Sequence, residues 1–322
     1  MRRFLSPVHP ETSLFLAKLD RPGAPPFHTL PLELQRAASE KMQFAFRPEA
    51  PEVAQAHEGW IPRDASAGGP LRYRLYRPLD SLMSEALPLL IWFHGGGWCI
   101  GNIESYDVMC REIANQSDCA VLSLAYRLAP EFPFPAAPDD AFYALNWIAD
   151  QASALAIDPA RIAVGGDSAG GNLAAVTALA ARDAGSPAIA FQLLIYPSTD
   201  QRGITPSHST FAEGYLLSQE SIRGFQHHYL PDRTCFTDWR ASPLLAASHA
   251  ALPPALMITA SHDPLVDDCR TYAQRLETNG VTVRYSEYSG MVHGFFTLGR
   301  AFTDANRAVT EAATALREAL NP

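Results

Sequence analysis

The stretch that most restricts the fold lies between residues 161 and 181. The β-branched and apolar run Ile162–Val164 predicts a buried strand, and Asn172–Ala181, rich in alanine and leucine, predicts a helix. Between them Gly166-Asp-Ser-Ala-Gly170 fits G-x-S-x-G, a sharp strand-to-helix turn that exposes a serine hydroxyl at the top of a sheet. A side chain at either glycine would crowd the backbone that turns at the serine. The position of the motif therefore favours Ser168 as a nucleophile.

Strands and helices alternate along the rest of the chain. Helical patterns occur at 139–148 and 302–320, and Leu71–Tyr76 alternates polar and apolar residues, which is typical of an edge strand. Further strands are predicted at Leu87–Phe93, Cys119–Tyr126, Phe191–Tyr196, Ala255–Ala260 and Val281–Ser286. This alternation predicts an α/β fold with a mostly parallel sheet that helices cover on both faces.

Two stretches lie outside this alternation. Residues 1 to about 55 look helical, because Thr12–Leu19 and Pro31–Glu40 carry apolar groups at helical spacing on either side of a proline-rich break. Between Ser198 and Ala241 the alternation gives way to glycine, proline, histidine and aromatic residues, which we interpret as an insertion over the sheet. The predicted organisation is a helical segment, a core, an insertion and a second part of the core, at 1–55, 56–199, 200–240 and 241–322.

Composition argues against several classes of protein. Apolar residues make up 47% of the 322 residues, and the net charge is −9 with lysine only at Lys18 and Lys41. Because no basic stripe appears, neither nucleic acid nor an anionic membrane is expected as a partner. The five cysteines are scattered without a C-x-x-C pair, so we expect neither a disulfide framework nor a structural zinc site.

The amino terminus does not fit a secretory signal. Arg2 and Arg3 are followed by Ser6-Pro-Val-His-Pro-Glu11, which interrupts any apolar segment of the required length. No apolar run elsewhere approaches the length of a membrane span. A soluble cytoplasmic protein is therefore expected.

A second glycine motif, His94-Gly-Gly-Gly-Trp98, directly follows the predicted strand 87–93. Its glycines let backbone N–H groups approach a ligand oxygen closely, as an oxyanion hole requires. The spacing of Gly95, Gly97 and Gly101 also imitates a dinucleotide-binding turn, but that motif expects an acid near the end of the next strand, and residues 122–127 offer none. We interpret His94 as a residue that orients the loop rather than as a base.

Together the two motifs make the chain resemble the hormone-sensitive-lipase-like (family IV) branch of the α/β-hydrolase esterases. Further landmarks follow in the order of that family: Tyr126-Arg-Leu-Ala-Pro-Glu131, Leu194-Ile-Tyr-Pro197, Ser242-Pro-Leu244, Asp263-Pro-Leu265 and His293-Gly-Phe295. The resemblance implies an eight-stranded, mostly parallel sheet flanked by helices, with a helical cap made from residues 1–55 and 200–240. It also implies hydrolysis of carboxylic esters with short to medium acyl chains, without a cofactor.

A serine hydroxyl needs a neighbouring base, and an acid must hold that base. In this fold the chain order is nucleophile, acid, base, and His293 is the histidine that follows the last predicted strand. Asp263, Asp267 and Asp268 compete for the acid; Asp263 is nearest the strand end, and its context matches the acid position of the family. Asp267 and Asp268 are expected to play structural roles in the first turn of a helix, and His262 to be a surface or packing residue.

The resemblance also implies an oxyanion hole. The N–H groups of Gly96, Gly97 and Ala169 would point at the oxyanion, with Gly95 as a fourth donor. Asp167, beside the serine, is expected to fix the turn or its neighbouring loop and to take no chemical step.

Three other polar residues receive structural roles. Glu131 is expected to anchor the oxyanion loop, and His227 and His228 to face solvent from the insertion. The chain has no H-E-x-x-H motif and no other carboxylate–histidine set at metal spacing, so no metal is expected.

Two other functions stay open at this point. One is an amidase or peptidase with the same three side chains, and the other is a catalytically silent ligand-binding protein on the same fold. The ordered serine, acid and histidine argue against the silent protein. The expected partner is a small-molecule ester, and the resemblance implies a homodimer with Val281–Ser286 as a candidate contact.

Overall fold

The computed structural model describes residues 7–20 and 23–321. The prediction that the amino terminus is not a secretory signal rests partly on Arg2, Arg3 and Ser6, which lie outside the described residues. Residues 21 and 22 of the predicted 1–55 segment and residue 322 of the last predicted segment also lie outside them.

The described chain folds around one eight-stranded sheet with the order β1-β2-β4-β3-β5-β6-β7-β8. The strands are β1 (Gln55–Ile61), β2 (Leu71–Arg77), β3 (Leu87–Phe93), β4 (Ala120–Leu124), β5 (Ile157–Asp167), β6 (Phe191–Ile195), β7 (Ala255–His262) and β8 (Val283–Val292). Strands β3 to β8 pair in parallel, and β2 runs antiparallel to both β1 and β4. The predicted mostly parallel α/β sheet is confirmed.

Helices cover both faces of this sheet. Within the described residues they are α1 (Pro10–Leu19), α2 (Leu32–Phe46), α3 (Ile103–Ser117), α4 (Ala136–Asp150), α5 (Ala169–Ala184), α6 (Pro206–Thr210), α7 (Gln219–Tyr229), α8 (Val266–Thr278) and α9 (Thr303–Leu320). One apolar cluster joins α4, α5 and α8 to the sheet, and a second joins α3 and α9 to the opposite face. Strands β3 and β7 are buried at every position because both of their faces are covered.

One prediction about the sheet is wrong. Strand β2 does not form the edge, because β1 pairs along its whole length. The alternation in β2 arises because Arg72 and Arg74 lie on a polar surface, where both form ion pairs with Glu58 of β1. Strand β1 itself was not predicted, since Ile61 is its only buried residue and its sequence carries no apolar pattern.

The segments outside the alternating pattern meet above the carboxyl edge of the parallel strands. Residues of α1 and α2 and residues of α7 and the loop before it line one cavity with Ser168. This places the amino-terminal helices and the 200–240 region around the same space. Of the helices in the described part of the chain, none is long and apolar enough to cross a bilayer.

Candidate active site

Ser168 lies in the turn between β5 and α5. Its φ of 55° and ψ of −115° are outside the conformations that non-glycine residues ordinarily adopt, so the turn holds the serine under strain. A Cβ on Gly170 would lie 1.8 Å from the carbonyl oxygen of Phe93, and a Cβ on Gly166 would lie 2.4 Å from the carbonyl carbon of Gly170. The predicted crowding at both glycines is confirmed.

Three side chains from the turns after β5, β7 and β8 form a chain of hydrogen bonds. His293 Nε2 lies 2.8 Å from Ser168 Oγ, and His293 Nδ1 lies 2.7 Å from Asp263 Oδ2. Because these strands are parallel, their carboxyl ends meet at one edge and bring together residues far apart in sequence. Such a chain can pass the proton of the hydroxyl to the imidazole and stabilise the imidazolium with the carboxylate.

The carboxylate of Asp263 is held in place by its surroundings. Asp263 is fully buried, and its Oδ1 accepts a hydrogen bond from the backbone N–H of Leu265 at 2.8 Å. The other oxygen therefore points at His293. Of the three candidate acids, only Asp263 contacts this histidine within the described residues.

The loop after β3 brings backbone N–H groups to the same place. Gly96 and Gly97 have φ values of 115° and 58°, which favour glycine. Among the described residues no atom accepts a hydrogen bond from the N–H of Gly96, Gly97 or Ala169. All three residues line the cavity that contains Ser168, so these donors are available to a ligand oxygen.

Gly95 does not fit the oxyanion role that the resemblance implied. Its N–H donates to Asp167 Oδ1 at 2.8 Å and lies 3.0 Å from the hydroxyl oxygen of Tyr106. A donor already bonded to a buried carboxylate is not free to hold a substrate oxygen. The prediction of Gly95 as an oxyanion donor is therefore wrong, and Gly96, Gly97 and Ala169 stay the candidates.

Asp167 links the turn at Ser168, which we call the serine turn, to the loop after β3 that begins at His94, which we call the glycine loop. In addition to the Gly95 bond, its Oδ2 accepts a hydrogen bond from the Tyr106 hydroxyl at 2.9 Å. Burial raises the pKa of the Asp167 carboxyl to about 6, although these hydrogen bonds act in the opposite direction. The structural role expected for Asp167 agrees with these contacts. No local pattern marks Tyr106, which is a single tyrosine in helix α3.

His94 is a packing residue of the same loop. Its ring stacks on Tyr126 with centroids 4.4 Å apart, and Nδ1 lies 2.8 Å from the carbonyl oxygen of Gly95. Burial lowers the pKa of His94 to about 4, so the ring is neutral near pH 7. Within the described residues it contacts no candidate nucleophile, in agreement with the predicted role in orienting the loop.

Glu131 holds the glycine loop through a residue that sequence reasoning missed. Arg36 of α2 forms a bidentate pair with Glu131, with both N···O distances at 2.7 Å. The same guanidinium donates to the carbonyl oxygens of Cys99 at 2.9 Å and Ala129 at 3.2 Å. One arginine of the amino-terminal region therefore ties α2 to the loop that carries the candidate oxyanion donors Gly96 and Gly97.

The remaining candidate residues lie around the site without joining the hydrogen-bonded chain. His262 is buried and packs its ring against Phe211 and Tyr215, so of its two predicted roles packing is correct and surface exposure is wrong. His227 is exposed and His228 is half-buried, and neither lines the cavity.

Asp267 and Asp268 lie in the first turn of α8, as predicted. Asp267 accepts a hydrogen bond from the N–H of Ser207, and fully buried Asp268 lies 2.8 Å from His208 Nε2. Both partners belong to the 200–240 region. The two aspartates therefore join the first turn of α8 to the 200–240 region, in agreement with the structural roles expected for them.

A cavity of about 810 Å³ opens over Ser168 and His293. Its apolar wall comes from helices and loops outside the core: Leu16, Leu30, Met42, Leu216, Leu217 and Phe225. No local pattern marks these residues as lining residues, since they come together only in the folded chain. Within residues 7–20 and 23–321 no three or more histidine, cysteine, aspartate or glutamate side chains are grouped to hold a metal ion.

Comparisons with known proteins agree with this architecture. Residues 90–297 match a family model described as the alpha/beta hydrolase fold. The chain is 40% identical over 251 residues to Carboxylesterase NlhH of Mycobacterium tuberculosis, which covers 77% of this chain and 78% of that protein. It is 38% identical over 256 residues to Ethyl acetate hydrolase of Pseudomonas putida, which covers 79% of this chain and 80% of that protein.

Solved structures resemble nearly the whole chain. An ester hydrolase from the metagenome of Lake Arreo, complexed with a derivative of bipyridine phosphonate, is 45% identical with a TM-score of 0.93. That match covers 98% of this chain and 100% of the other. A hyperthermophilic esterase from the archaeon Pyrobaculum calidifontis is 36% identical with a TM-score of 0.90, covering 97% and 98% of the two chains.

Proposed function

Because the chain belongs to the hormone-sensitive-lipase-like branch of the α/β-hydrolase-fold family and is a carboxylic-ester hydrolase, we propose that it acts through a Ser168–His293–Asp263 triad. The observation that carries the proposal is the pair of hydrogen bonds at His293, 2.8 Å to Ser168 Oγ and 2.7 Å to Asp263 Oδ2. A base held between a hydroxyl and a buried carboxylate is the arrangement that activates a serine.

The first half of the reaction forms an acyl-enzyme. Ser168 Oγ attacks the ester carbonyl carbon while His293 Nε2 takes the hydroxyl proton. Asp263 stabilises the imidazolium that results. The tetrahedral intermediate then collapses, and His293 returns the proton to the departing alcohol, which leaves the acyl group on the serine.

The second half repeats these steps with water. His293 removes a proton from a water molecule, which attacks the acyl carbonyl, and the serine leaves with that proton. In both halves the N–H groups of Gly96, Gly97 and Ala169 stabilise the oxyanion. Each such donor lowers the barrier by about 3 kcal/mol when it is fixed before the reaction begins.

Short- to medium-chain acyl esters are the proposed substrates. The cavity of about 810 Å³ is closed in by residues of α1, α2 and α7 and is lined by aliphatic and aromatic side chains, which suits a chain of a few methylene groups. The relative named for ethyl acetate supports the short end of this range. Hydrolysis of butyrate and hexanoate esters is expected to be faster than hydrolysis of emulsified long-chain triglycerides.

The alternative within the same chemistry is an amidase or peptidase. A triad and an oxyanion hole also serve amide hydrolysis, whose leaving group is harder to expel. A paired assay with an ester and an anilide of the same acid separates the two activities, and the proposal predicts that only the ester is turned over rapidly.

We also propose how the segments of the chain are organised into a cap and a core. Residues 1–55 and 200–240 form the cap over the core segments 56–199 and 241–322, which is supported by their shared lining of the cavity. A homodimer through Val281–Ser286 and a cytoplasmic location stay predictions. Strand β8 does lie at the edge of the sheet, where a second copy could pair with it.

The test is Ser168→Ala, assayed with p-nitrophenyl butyrate. The expected result is loss of turnover with the thermal unfolding midpoint retained. Ser123→Ala is the matched control, because Ser123 is a buried serine of β4 that does not line the cavity. Full activity of Ser168→Ala would end the assignment of this serine as nucleophile.

A further inference from the structure

One wall of the cavity is a strained loop between α6 and α7. Leu216 has a φ of 69°, which is unusual for a residue with a side chain, and the N–H of Leu217 donates to the carbonyl oxygen of Tyr215 at 2.9 Å. A bond to the second residue back describes a γ-turn, the strained form of which has positive φ at its centre. Leu216 and Leu217 both line the cavity.

This loop also lies against the residues of the proposed triad. A Cβ placed on Gly294, the residue after His293, would lie 3.7 Å from Leu216 Cδ2. The ring of Tyr215 packs 5.4 Å from that of His262, the residue before Asp263. The loop therefore contacts the chain next to both partners of the serine.

A buried histidine holds the base of the loop. Nδ1 of His208, in the middle of α6, lies 3.1 Å from Oε1 of Gln219, the first residue of α7. Because these two residues flank the loop on either side, their contact closes it. The other ring nitrogen, Nε2, lies 2.8 Å from Asp268 Oδ2, so the same ring ties the closed loop to α8.

The segment around His208 is also bonded to the turn between β7 and α8 that carries Asp263, which we call the acid loop. Ser207 Oγ donates to the carbonyl oxygen of Pro264 at 2.6 Å, and Pro264 directly follows Asp263. Thr205 Oγ1 donates to Asp268 Oδ1 at 2.8 Å. Ser207, His208 and Asp268 are all buried. Buried polar groups with complete partners fix geometry, because breaking one bond leaves another group without a partner.

We propose that His208 is a positioning residue for ester hydrolysis, with two separable functions in its two ring nitrogens. Through Nε2 and Asp268 it fixes the start of α8 and thereby the acid loop that orients Asp263. Through Nδ1 and Gln219 it fixes the loop that carries Leu216 and thereby the wall of the acyl pocket. The inference rests on the proposed triad, because it assigns His208 an effect on how that triad is held.

The two functions predict different kinetic changes. Loss of the Asp268 contact displaces the acid relative to His293, which weakens the transition state and lowers kcat. Loss of the Gln219 contact loosens the pocket wall and raises KM, while the acid loop keeps its partner. A merely structural histidine would lower only the fraction of folded enzyme. Its loss would leave KM unchanged and would also leave kcat unchanged when kcat is expressed per active site counted by fluorophosphonate titration, so kcat is expressed in this way for every variant.

Two conservative variants separate the nitrogens. His208→Gln places an amide N–H near the position of Nε2 and keeps the bond to Asp268, whereas His208→Asn places one near Nδ1 and keeps the bond to Gln219. With p-nitrophenyl hexanoate, we expect His208→Asn to lower kcat about tenfold with KM nearly unchanged. We expect His208→Gln to retain kcat and to raise KM severalfold, and Gln219→Leu to reproduce the change in KM.

His249→Gln is the matched control. His249 is another buried histidine, bonded to the carbonyl oxygen of Pro243 at 2.8 Å, and it does not line the cavity. Its substitution should lower the unfolding midpoint without selective change in kcat or KM. Equal kcat values for His208→Asn and His208→Gln would overturn the proposal.

Further measurements cover the cases of poor folding and of failure of the triad itself. If His208→Asn does not fold, Ser207→Ala is assayed instead. This substitution removes the contacts of Ser207 Oγ with the carbonyl oxygen of Pro264, the N–H of Asp267 and Thr205 Oγ1, and it should lower kcat. An unchanged kcat would overturn the proposal. Labelling of the wild-type protein at Ser168 by a fluorophosphonate tests the triad separately. A labelled wild type with kinetically identical variants contradicts only the role of His208, whereas an unlabelled wild type contradicts the proposed function.

Discussion

The turns at the carboxyl edge of the sheet and the walls of the cavity above them are built in different ways. At the turns the backbone itself fills the space, so that a Cβ on Gly170 would lie 1.8 Å from the carbonyl oxygen of Phe93. In the wall helix α7, a Cβ on Gly224 would meet nothing within 4 Å. The turn that carries Ser168, the proposed nucleophile, is thus positioned by backbone sterics, and the pocket is formed by side-chain contacts between distant segments. The two regions should respond differently to substitution.

The largest expected effect is at the buried acid of the turns. Asp263→Asn retains the shape of the side chain but loses the charge that stabilises the imidazolium and selects its tautomer, so kcat should fall by about 10³- to 10⁴-fold. Asp158→Asn makes the same chemical change at the surface end of β5 and should leave kcat within about twofold. A loss below tenfold for Asp263→Asn would contradict the assignment of the acid.

Replacing one glycine of each region by alanine compares the two regions by the change in the free energy of unfolding. Gly170→Ala forces a Cβ against backbone atoms and should lower the free energy of unfolding by about 3 kcal/mol or more. Gly224→Ala, in the open face of helix α7, should raise it by about 0.5–1 kcal/mol, because alanine favours helix. Urea unfolding at constant pH measures both. Equal effects at the two positions would contradict the contrast.

A smaller effect is expected where a wall side chain touches the glycine loop. A Cβ on Gly97 would lie 2.4 Å from the ring of Phe225, so this ring packs directly on one of the proposed oxyanion glycines. Phe225→Ala should open space beside the reacting carbonyl and shift kcat/KM in favour of α-branched over linear acyl esters by about tenfold.

Phe132→Ala is the control for that change, since Phe132 is exposed and does not line the cavity. It should leave the ratio for the two ester types unchanged. If Phe225→Ala also leaves the ratio unchanged, this wall does not set substrate shape.

The smallest effect concerns the ion pair that joins the two regions. The hydrogen bond from Arg36 lowers the pKa of the Glu131 carboxyl to about 2, from an unfolded value near 4.5. A lowered acid pKa contributes stability above about pH 4.5, and the contribution is lost as the pH falls towards 2. Because the Glu131 side chain is half exposed, the contribution is less than about 1 kcal/mol.

Glu131→Gln should therefore be slightly less stable than the wild type at pH 6, with the difference shrinking as the pH falls below 4.5. Urea midpoints at several pH values measure this difference. A gap that stays constant from pH 6 to pH 3.5 would mean that the charge of Glu131 does not contribute.

The contrast also explains what the sequence could predict. The serine turn, the glycine loop and the order of Ser168, Asp263 and His293 carry local signals, because glycine is required where the backbone turns closely and parallel strands end at one edge. The central strands of the sheet could be predicted because their sequences are apolar runs. Strand β1 did not, because only Ile61 of that strand is buried and its polar residues pair with β2 instead of a core.

The remaining residues depend on contacts that no local pattern encodes. Arg36 lies 63 residues before the carbonyl group of Cys99 that it binds, and His208 lies 60 residues before Asp268. Nothing in the sequence itself excludes Gly95 as a fourth oxyanion donor. The distinction arises only from the Asp167 carboxylate, which already accepts the hydrogen bond of Gly95.

The central claim is that the hydroxyl at 168 is activated by the imidazole at 293, and covalent labelling tests it most directly. The wild type, Ser168→Ala and His293→Ala are treated with a fluorophosphonate, and intact mass and peptide mapping locate the adduct. We predict one adduct on Ser168 in the wild type, none in Ser168→Ala and labelling slowed by about 10³-fold or more in His293→Ala. An adduct at another residue, or equal labelling rates in the wild type and His293→Ala, would contradict the account.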